Sequence, residues 1–200
     1  MDKTVLMAFL TFISLLNPIQ KIFVIFSLQE TYSKDAIKRI VNNSTRTAYI
    51  VLIIFLLLGN ELLSYVFNIE IYAFQIMCGV VLAINGLSAL QKGAYVDIKN
   101  NPTIESITTV PIAVPMIAGP ATITAVVTMP TMYGMWISLG AVTLAILLNW
   151  VIMRNSKAIG LLLNKYNLLN PSSRIFGLIV AAIGLQMILD GLRVYIESMF

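Results

Sequence analysis

The sequence has no histidine and only one cysteine, Cys78, among its 200 residues. Without histidine, the chain lacks the commonest metal ligand and the usual catalytic base near neutral pH. A single cysteine cannot form a disulfide within the chain, and no group of residues has the spacing of a metal site. We therefore expect no metal, no cofactor and no enzymatic activity.

Charge is also scarce. Only 11% of the residues are charged, 58% are hydrophobic and the mean hydropathy is +0.88, whereas soluble domains carry about 25% charged residues. This is more apolar residues than one globular core can bury. The composition therefore predicts a polytopic membrane protein in contact with lipid. The net charge of +4 does not indicate a nucleic-acid partner, because Lys and Arg collect in the cytoplasmic loops of membrane proteins.

The long apolar runs predict an all-α fold with six transmembrane helices in one domain, residues 1–200. Each run approaches the roughly 20 residues that cross the hydrocarbon core. A further segment, residues 157–174, is too short to cross and predicts an interfacial helix that ends at Asn170-Pro171. The six predicted spans are residues 4–28, 47–67, 70–91, 107–129, 132–153 and 174–196.

Basic residues are concentrated in three of the segments between the predicted spans, while the opposite side has only Lys3 and Arg193. The positive-inside rule makes these three segments cytoplasmic, which places both termini outside the cytoplasm. The basic residues are Lys34, Lys38, Arg39 and Arg46 after span 1, Lys92 and Lys99 after span 3, and Arg154, Lys157, Lys165 and Arg174 after span 5.

The two halves of the sequence resemble each other. Asn17-Pro18 matches Gly119-Pro120 at an offset of 102 residues, and "GVVLAINGL" (79–87) matches "GLQMILDGL" (184–192) at an offset of 105. Chance similarity is the alternative, but two helix pairs agree with nearly equal offsets. We predict a 3+3 inverted repeat, with repeat A at about 1–91, a cytoplasmic linker at about 92–106 and repeat B at about 107–200.

Spans 1 and 4 contain helix breaks. Asn is a favoured N-cap and Pro is favoured at the first helical position, so each break starts a second half-helix near the bilayer midplane. The free N–H groups and partial positive charge there suit an anion or a carboxylate. The alternative is two ordinary proline kinks. The candidate substrate-binding residues are Asn17, Pro18, Gln20, Lys21, Gly119, Pro120, Ala121 and Thr122.

Of the polar residues inside the predicted spans, Lys21, Asp190 and Asn85 have specific candidate roles. Lys21 either contributes charge to this site or extends its ammonium group to the membrane surface. Asp190 is either a coupling carboxylate or a structural partner of Arg193. Asn85, which matches Asp190 in the repeat, predicts an interhelical hydrogen bond. Gly79, Gly86, Gly184 and Gly191 predict close helix packing.

Three stretches of the sequence, "LLNPIQKIFVIFSL", "VPIAVPMIAGPATITAV" and "RIFGLIVAAIGLQMILDGLR", resemble segments of the MarC family of bacterial and archaeal inner-membrane proteins. The resemblance implies a multi-pass protein of the cytoplasmic (inner) membrane. It also implies transport of small neutral amino acids such as glycine or alanine, as described for some members. Gln20, Lys21 and Phe23 differ from the residues usual in that family.

The function predicted from these features is secondary transport or export of small carboxylate-bearing solutes, with H⁺ or Na⁺ as candidate coupling ions. A channel for ions or small solutes is the alternative, since the same helix ends can pass an anion. A membrane protein without transport activity is a further alternative.

Overall fold

The structure is a computed structural model that describes residues 3–29, 32–92, 112–113 and 116–199. These residues are almost entirely helical. The helices are α1 (Lys3–Leu16), α2 (Pro18–Leu28), α3 (Lys34–Glu61), α4 (Ile71–Lys92), α5 (Pro120–Tyr133), α6 (Met135–Arg154), α7 (Ser156–Lys165) and α8 (Leu169–Glu197).

Four helical segments are long and apolar enough to cross a membrane, and the bent pair α1–α2 makes a fifth if it is one span. The two members of that pair are inclined at 43°. The predicted span 107–129 lies partly outside the described residues, and α5 alone has 14 residues, fewer than a crossing needs. The four long segments are Lys34–Val66, which includes a π-helical turn at Leu62–Val66, Ile71–Gln91, Met135–Arg154 and Arg174–Glu197.

The prediction that residues 29–46 form a basic loop is wrong for most of that segment, because α3 begins at Lys34. The Ser33 hydroxyl accepts a hydrogen bond from the N–H of Ala36 at 3.3 Å, which is N-cap chemistry. Asp35 in the first turn adds a favourable negative charge at the helix N-terminus. The first part of α3 therefore carries the basic residues, and the apolar part of the same helix follows it.

The predicted end of the interfacial helix at Asn170-Pro171 is also wrong. Helix α7 ends at Lys165, and Pro171 lies in the first turn of α8. Proline is tolerated there because the first N–H groups of a helix have no partner within the helix. Ser156 and Gly160 form the buried side of α7, and a Cβ on Gly160 would lie 2.2 Å from the ring of Phe26 on α2.

The core is formed where α1, α3, α5 and α6 meet, and it contains fully buried side chains such as Phe12, Leu52, Val126 and Ala145. Large apolar side chains also cover the outer surface. A soluble protein rarely exposes so much contiguous apolar surface, whereas a bilayer solvates it. Exposed examples are Ile54, Leu57, Leu147, Leu178, Leu185 and Leu189.

Helices α4 and α8 form the most extensive helix pair in the described chain. They run antiparallel, because Gly86 packs on Gly177 and Gly79 packs on Gly184. Residue numbers therefore increase along α4 in the direction in which they decrease along α8. A Cβ on Gly79 would lie 2.6 Å from the Gly184 oxygen, and a Cβ on Gly184 would lie 2.7 Å from the Gly79 oxygen. Gly191 meets Tyr72 and Ile76 in the same way. The predicted close packing at the glycines is confirmed.

Candidate functional site

The first break consists of a single residue, Asn17, between α1 and α2. Its φ of 45° is left-handed, a conformation that Asn tolerates better than most side chains. The Asn17 N–H donates back to the oxygens of Ile13 and Ser14 at 3.2 Å. Its Oδ1 lies 3.5 Å from the N–H of Gln20, at the long limit of a hydrogen bond. Asn17 therefore ends one helix and caps the next, and the predicted break is confirmed.

Lys21 lies inside the protein and is only 1% exposed. Its ammonium group donates to the backbone oxygen of Leu16, the last residue of α1. That oxygen belongs to a helix C-terminus, where carbonyls lack partners and a cation is favourable. The alternative in which Lys21 reaches the membrane surface is therefore wrong. The ammonium group stays beside the break, on the carbonyl that the break leaves free.

The second break is at Gly119, where α5 begins with Pro120 at its first position. The Gly119 N–H donates to Thr122 Oγ1 at 2.9 Å, and that hydroxyl lies 2.8 Å from the oxygen of Ile117, to which it donates. Just before the break, the Ala118 N–H donates to the Ala113 oxygen at 2.9 Å. Thr122 is 2% exposed, so its hydroxyl holds the backbone of the break in place. Pro111 and Pro115 lie outside the described residues.

Both half-helices begin against the pair formed by α4 and α8. Asn17, Gln20 and Phe23 line a narrow cleft whose opposite wall includes Gly86 and Gly177. The volume open to the centre of a water molecule there is ≈ 10 Å³, which is room for about one water. The polar side chains at the first break therefore face the side of α4 and α8 that carries Gly86 and Gly177.

The start of α5 packs a short distance away on the same pair. Ala121 clusters with Cys78 of α4 and Met187 of α8, and Leu15 of α1 packs against this cluster. Thr124, one turn into α5, donates its hydroxyl to the Pro120 oxygen at 3.0 Å. Leu15 precedes the first break by two residues. The ends of both broken helices therefore meet on one surface of α4 and α8.

The model of the MarC family of integral membrane proteins matches residues 3–196. The chain belongs to the MarC family. A UPF0056 membrane protein of Pyrococcus horikoshii is 32% identical over 191 residues, which cover 96% of this chain and 94% of the relative. A UPF0056 membrane protein of Aquifex aeolicus is 29% identical over 196 residues, covering 93% and 91%. No solved structure matches the chain.

The remaining predicted site residues of this MarC-family protein, Asn85 and Asp190, lie on exposed surface of α4 and α8. Asp190 accepts a hydrogen bond from Gln186 at 2.9 Å. Arg193 forms its ion pair with Glu197 at 2.9 Å, one helical turn on, and Asp190 contributes a weaker electrostatic attraction to Arg193, so the role of Asp190 stays a prediction. Neither Asn85 nor Asp190 lines the cleft at the first break.

The sequence prediction missed part of the cleft wall of the MarC-family chain. Gly177, Phe176 and Val180 line it opposite Asn17, and none of them was a candidate. The signal was present, since Gly177, Gly184 and Gly191 recur every seven residues along α8 and such spacing keeps small residues on one helix face. Among the described residues, no three His, Cys, Asp or Glu side chains are grouped as metal ligands.

Proposed function

We propose that this MarC-family protein is a secondary transporter or exporter of small carboxylate-bearing solutes, with small neutral amino acids such as glycine and alanine as first candidates. The observation that carries the proposal is that two half-helices, α2 and α5, begin at Asn17 and Gly119 on one surface of α4 and α8. Paired half-helix N-termini are the anion-binding device of inverted-repeat transporters.

The chemistry of the breaks suits a carboxylate. The first N–H groups of α2 and α5 have no partner within their helices and carry partial positive charge. The Asn17 and Gln20 amides line the cleft at the first break, which has room for about one water, so a solute requires this cleft to widen. The Lys21 ammonium lies on the neighbouring Leu16 oxygen. A carboxylate replaces a neutral carbonyl as a stronger acceptor for such a cation. Substrate-binding roles for Pro18, Pro120, Ala121 and Thr122 rest on their position in the first turns of the half-helices.

The 3+3 inverted repeat is part of the proposal, and the packing supports it. Under the repeat, α2 corresponds to α5, α3 to α6 and α4 to α8. The repeat then relates the contact of α3 with α5 to the contact of α6 with α2. It also relates the contact of α4 with α5 to the contact of α8 with α2. All four contacts occur in the structure. Gly79 and Gly184 are repeat mates and pack on each other. Ser44 and Asn149, also 105 residues apart, are both fully buried.

The proposed orientation in the cytoplasmic membrane, with both termini outside, rests on the basic residues. Trp150 near the end of α6 donates to Asn42 in the early part of α3 at 2.8 Å. The start of α3 and the end of α6 therefore lie at the same end of the bundle. Lys34, Lys38 and Arg154 share this end, which the positive-inside rule makes cytoplasmic.

Solute counterflow into proteoliposomes tests the proposal. Purified protein is reconstituted with unlabelled glycine or alanine inside, and uptake of the labelled solute is followed. We expect counterflow from the unmodified protein, since a carrier exchanges solute while a channel does not. H⁺ and Na⁺ gradients are then imposed separately to identify a coupling ion. Flux without counterflow would favour the channel instead.

Two variants locate the site. Gly119→Leu places a large side chain where the backbone meets the solute, so we expect loss of counterflow. Asn17→Ala removes a cap worth about 1 kcal/mol and should weaken transport with little effect on expression. Gly140→Leu is the matched control, because a Cβ on Gly140 has no neighbour within 4 Å. Unchanged counterflow in Gly119→Leu would overturn the assignment of the site to the breaks.

A further inference from the structure

A crevice to which neither break contributes a residue lies between α3 and α6. Its volume is ≈ 450 Å³, within the range of sites that hold a small molecule. Leu147 on its rim is 53% exposed, so the crevice opens on the outer surface that faces lipid. The lining residues are Asn42, Thr45, Arg46, Tyr49, Thr143, Ile146, Leu147 and Trp150.

The crevice has a polar end and an apolar end. At the polar end, Trp150 donates to Asn42, and the guanidinium of Arg154 lies 5.3 Å from the centre of the Trp150 ring. One helical turn deeper are Arg46 on α3 and Ile146 on α6. Tyr49 Oη lies 3.1 Å from Thr143 Oγ1 at the far end. Tryptophan at such a level is typical of the membrane–water interface.

Two polar groups in the crevice lack partners among the described residues. Arg46 forms no ion pair within the described part of the chain. Its side chain leaves a helix whose N-terminus is at the basic end, and Cβ atoms tilt towards the helix N-terminus, so the guanidinium is directed towards the headgroup level. Thr45 is 9% exposed, and its buried Oγ1 has no hydrogen-bond partner among the described atoms. A buried hydroxyl without a partner costs free energy.

The walls determine what fits. Leu147 presents apolar surface towards the bilayer, and the buried Ile146 also lines the crevice, which suits an acyl chain. Arg46 lines the crevice and Arg154 lies over the Trp150 ring beside it; neither forms an ion pair within the described residues, and their positive charge suits a phosphate. A free phosphate ion would leave the apolar walls uncovered, and a zwitterionic lipid such as phosphatidylcholine would bring a second cationic group to two arginines together with its phosphate.

We propose that the crevice between α3 and α6 is a binding site for one anionic phospholipid. Its phosphate accepts from Arg46 and the Thr45 hydroxyl, and one acyl chain lies along Ile146 and Leu147. Basic pockets between transmembrane helices bind anionic headgroups in this way. The site is independent of the proposed transport site, because the breaks contribute no residue to it.

Lipid titration of the purified protein in neutral detergent tests the proposal. Phosphatidylglycerol and phosphatidylcholine with identical acyl chains are added separately, and binding is read by native mass spectrometry together with the Tm. We expect phosphatidylglycerol to bind as a single tight copy and to raise the Tm more than phosphatidylcholine. Glycerol 3-phosphate and inorganic phosphate are the chain-free arms, and we expect no comparable shift from them.

Variants assign the site. Arg46→Gln should weaken phosphatidylglycerol binding about tenfold, the effect of losing a charge-assisted hydrogen bond. Arg39→Gln is the matched control, since Arg39 is exposed on the same helix and does not line the crevice. Thr45→Val should reduce the lipid-dependent rise in Tm without lowering the Tm of lipid-free protein.

Three results would overturn the proposal. Equal effects of phosphatidylglycerol and phosphatidylcholine would show that the net charge of the lipid does not determine binding. Equal binding by Arg46→Gln and Arg39→Gln would place the lipid elsewhere. A full shift from glycerol 3-phosphate or inorganic phosphate alone would make the site an anion site without a lipid chain.

Discussion

Lys21 and Asn17 supply hydrogen-bond partners for the backbone groups that the first break leaves free. The break leaves carbonyls free at the end of α1 and N–H groups free at the start of α2. Lys21 donates to the Leu16 oxygen on one side, and Asn17 Oδ1 faces the Gln20 N–H on the other. In hydrocarbon each unsatisfied group costs several kcal/mol. Two side chains within five residues therefore reduce the cost of interrupting a membrane helix.

Replacing Lys21 tests this role. Lys21→Met keeps an apolar stem of similar length but leaves the buried Leu16 oxygen without its donor, which should cost about 1–3 kcal/mol. We expect a lower Tm, measured by thermal unfolding of purified protein in detergent. If the ammonium also serves the solute, affinity should fall tenfold to a hundredfold, as for loss of roughly 1.5–3 kcal/mol.

Lys21→Arg is the control for this prediction, because it keeps a cationic donor that can reach a carbonyl. A Tm for Lys21→Met equal to or above that of the unmodified protein would contradict the capping role. Lower affinity at an unchanged Tm would assign Lys21 to the solute alone.

The residues at the breaks were largely predictable because their chemistry is local. Asn-Pro and Gly-Pro carry the cap and the first helical residue side by side, so the sequence alone indicates where each half-helix begins. The acceptor of Lys21 was not predictable. It lies on the other side of a 43° bend, and the bend brings the side chain back onto the helix that precedes it.

At the scale of helices, the contact of α4 with α8 depends on the absence of side chains. A Cβ on Gly184 would meet the backbone of Ala83 at 2.5 Å and that of Gly79 at 2.7 Å. Backbone atoms cannot move aside as a flexible side chain can. Any larger residue at Gly184 must separate the two helices, so van der Waals contact is lost along both.

Gly184→Leu should therefore destabilise the protein more than the same substitution at an open position. We expect a clearly lower Tm and poor recovery from detergent for Gly184→Leu, measured by thermal unfolding and size-exclusion chromatography. Gly140→Leu serves as the reference, since nothing lies within 4 Å of a Cβ there. Similar behaviour of the two variants would show that the glycine contact contributes little to stability.

Helix boundaries were less predictable than helix existence. The hydropathy pattern identified the apolar part of α3, but it could not show that the helix continues back to Lys34 through a charged segment. The missed signals were Ser33 as N-cap and Asp35 in the first turn. Pro171 suggested a helix end for a related reason. Proline is unfavourable in a helix interior, but it is accepted in the first turn of a helix.

At the scale of the whole molecule, the distribution of basic residues indicates which end of the bundle faces the cytoplasm. The basic start of α3 and Arg154 at the end of α6 share one end. With the six crossings that we propose, both termini would lie on the opposite side. Composition alone established the membrane class, whereas the number of crossings also depends on residues 107–119, where hydropathy and proline give opposing signals.

A reporter fused after Phe200 tests this orientation. We expect activity from a reporter that works only outside the cytoplasm, such as alkaline phosphatase, and none from one that works only inside. A fusion after Lys92 is the internal control and should give the reverse result. Cytoplasmic activity at Phe200 would contradict the orientation, and with it the inverted repeat.

The contact of α4 with α8 also has a consequence for the order of synthesis. Helix α8 follows the other described helices in the chain, so the glycine face of α4 enters the bilayer well before its partner is made. Until then, Gly79 and Gly86 can be covered only by lipid or by a chaperone. Among the described helices, assembly is therefore completed late, when α8 reaches the bilayer. A truncation that removes α8 should leave every earlier helix inserted, yet mark the chain for degradation by membrane proteases.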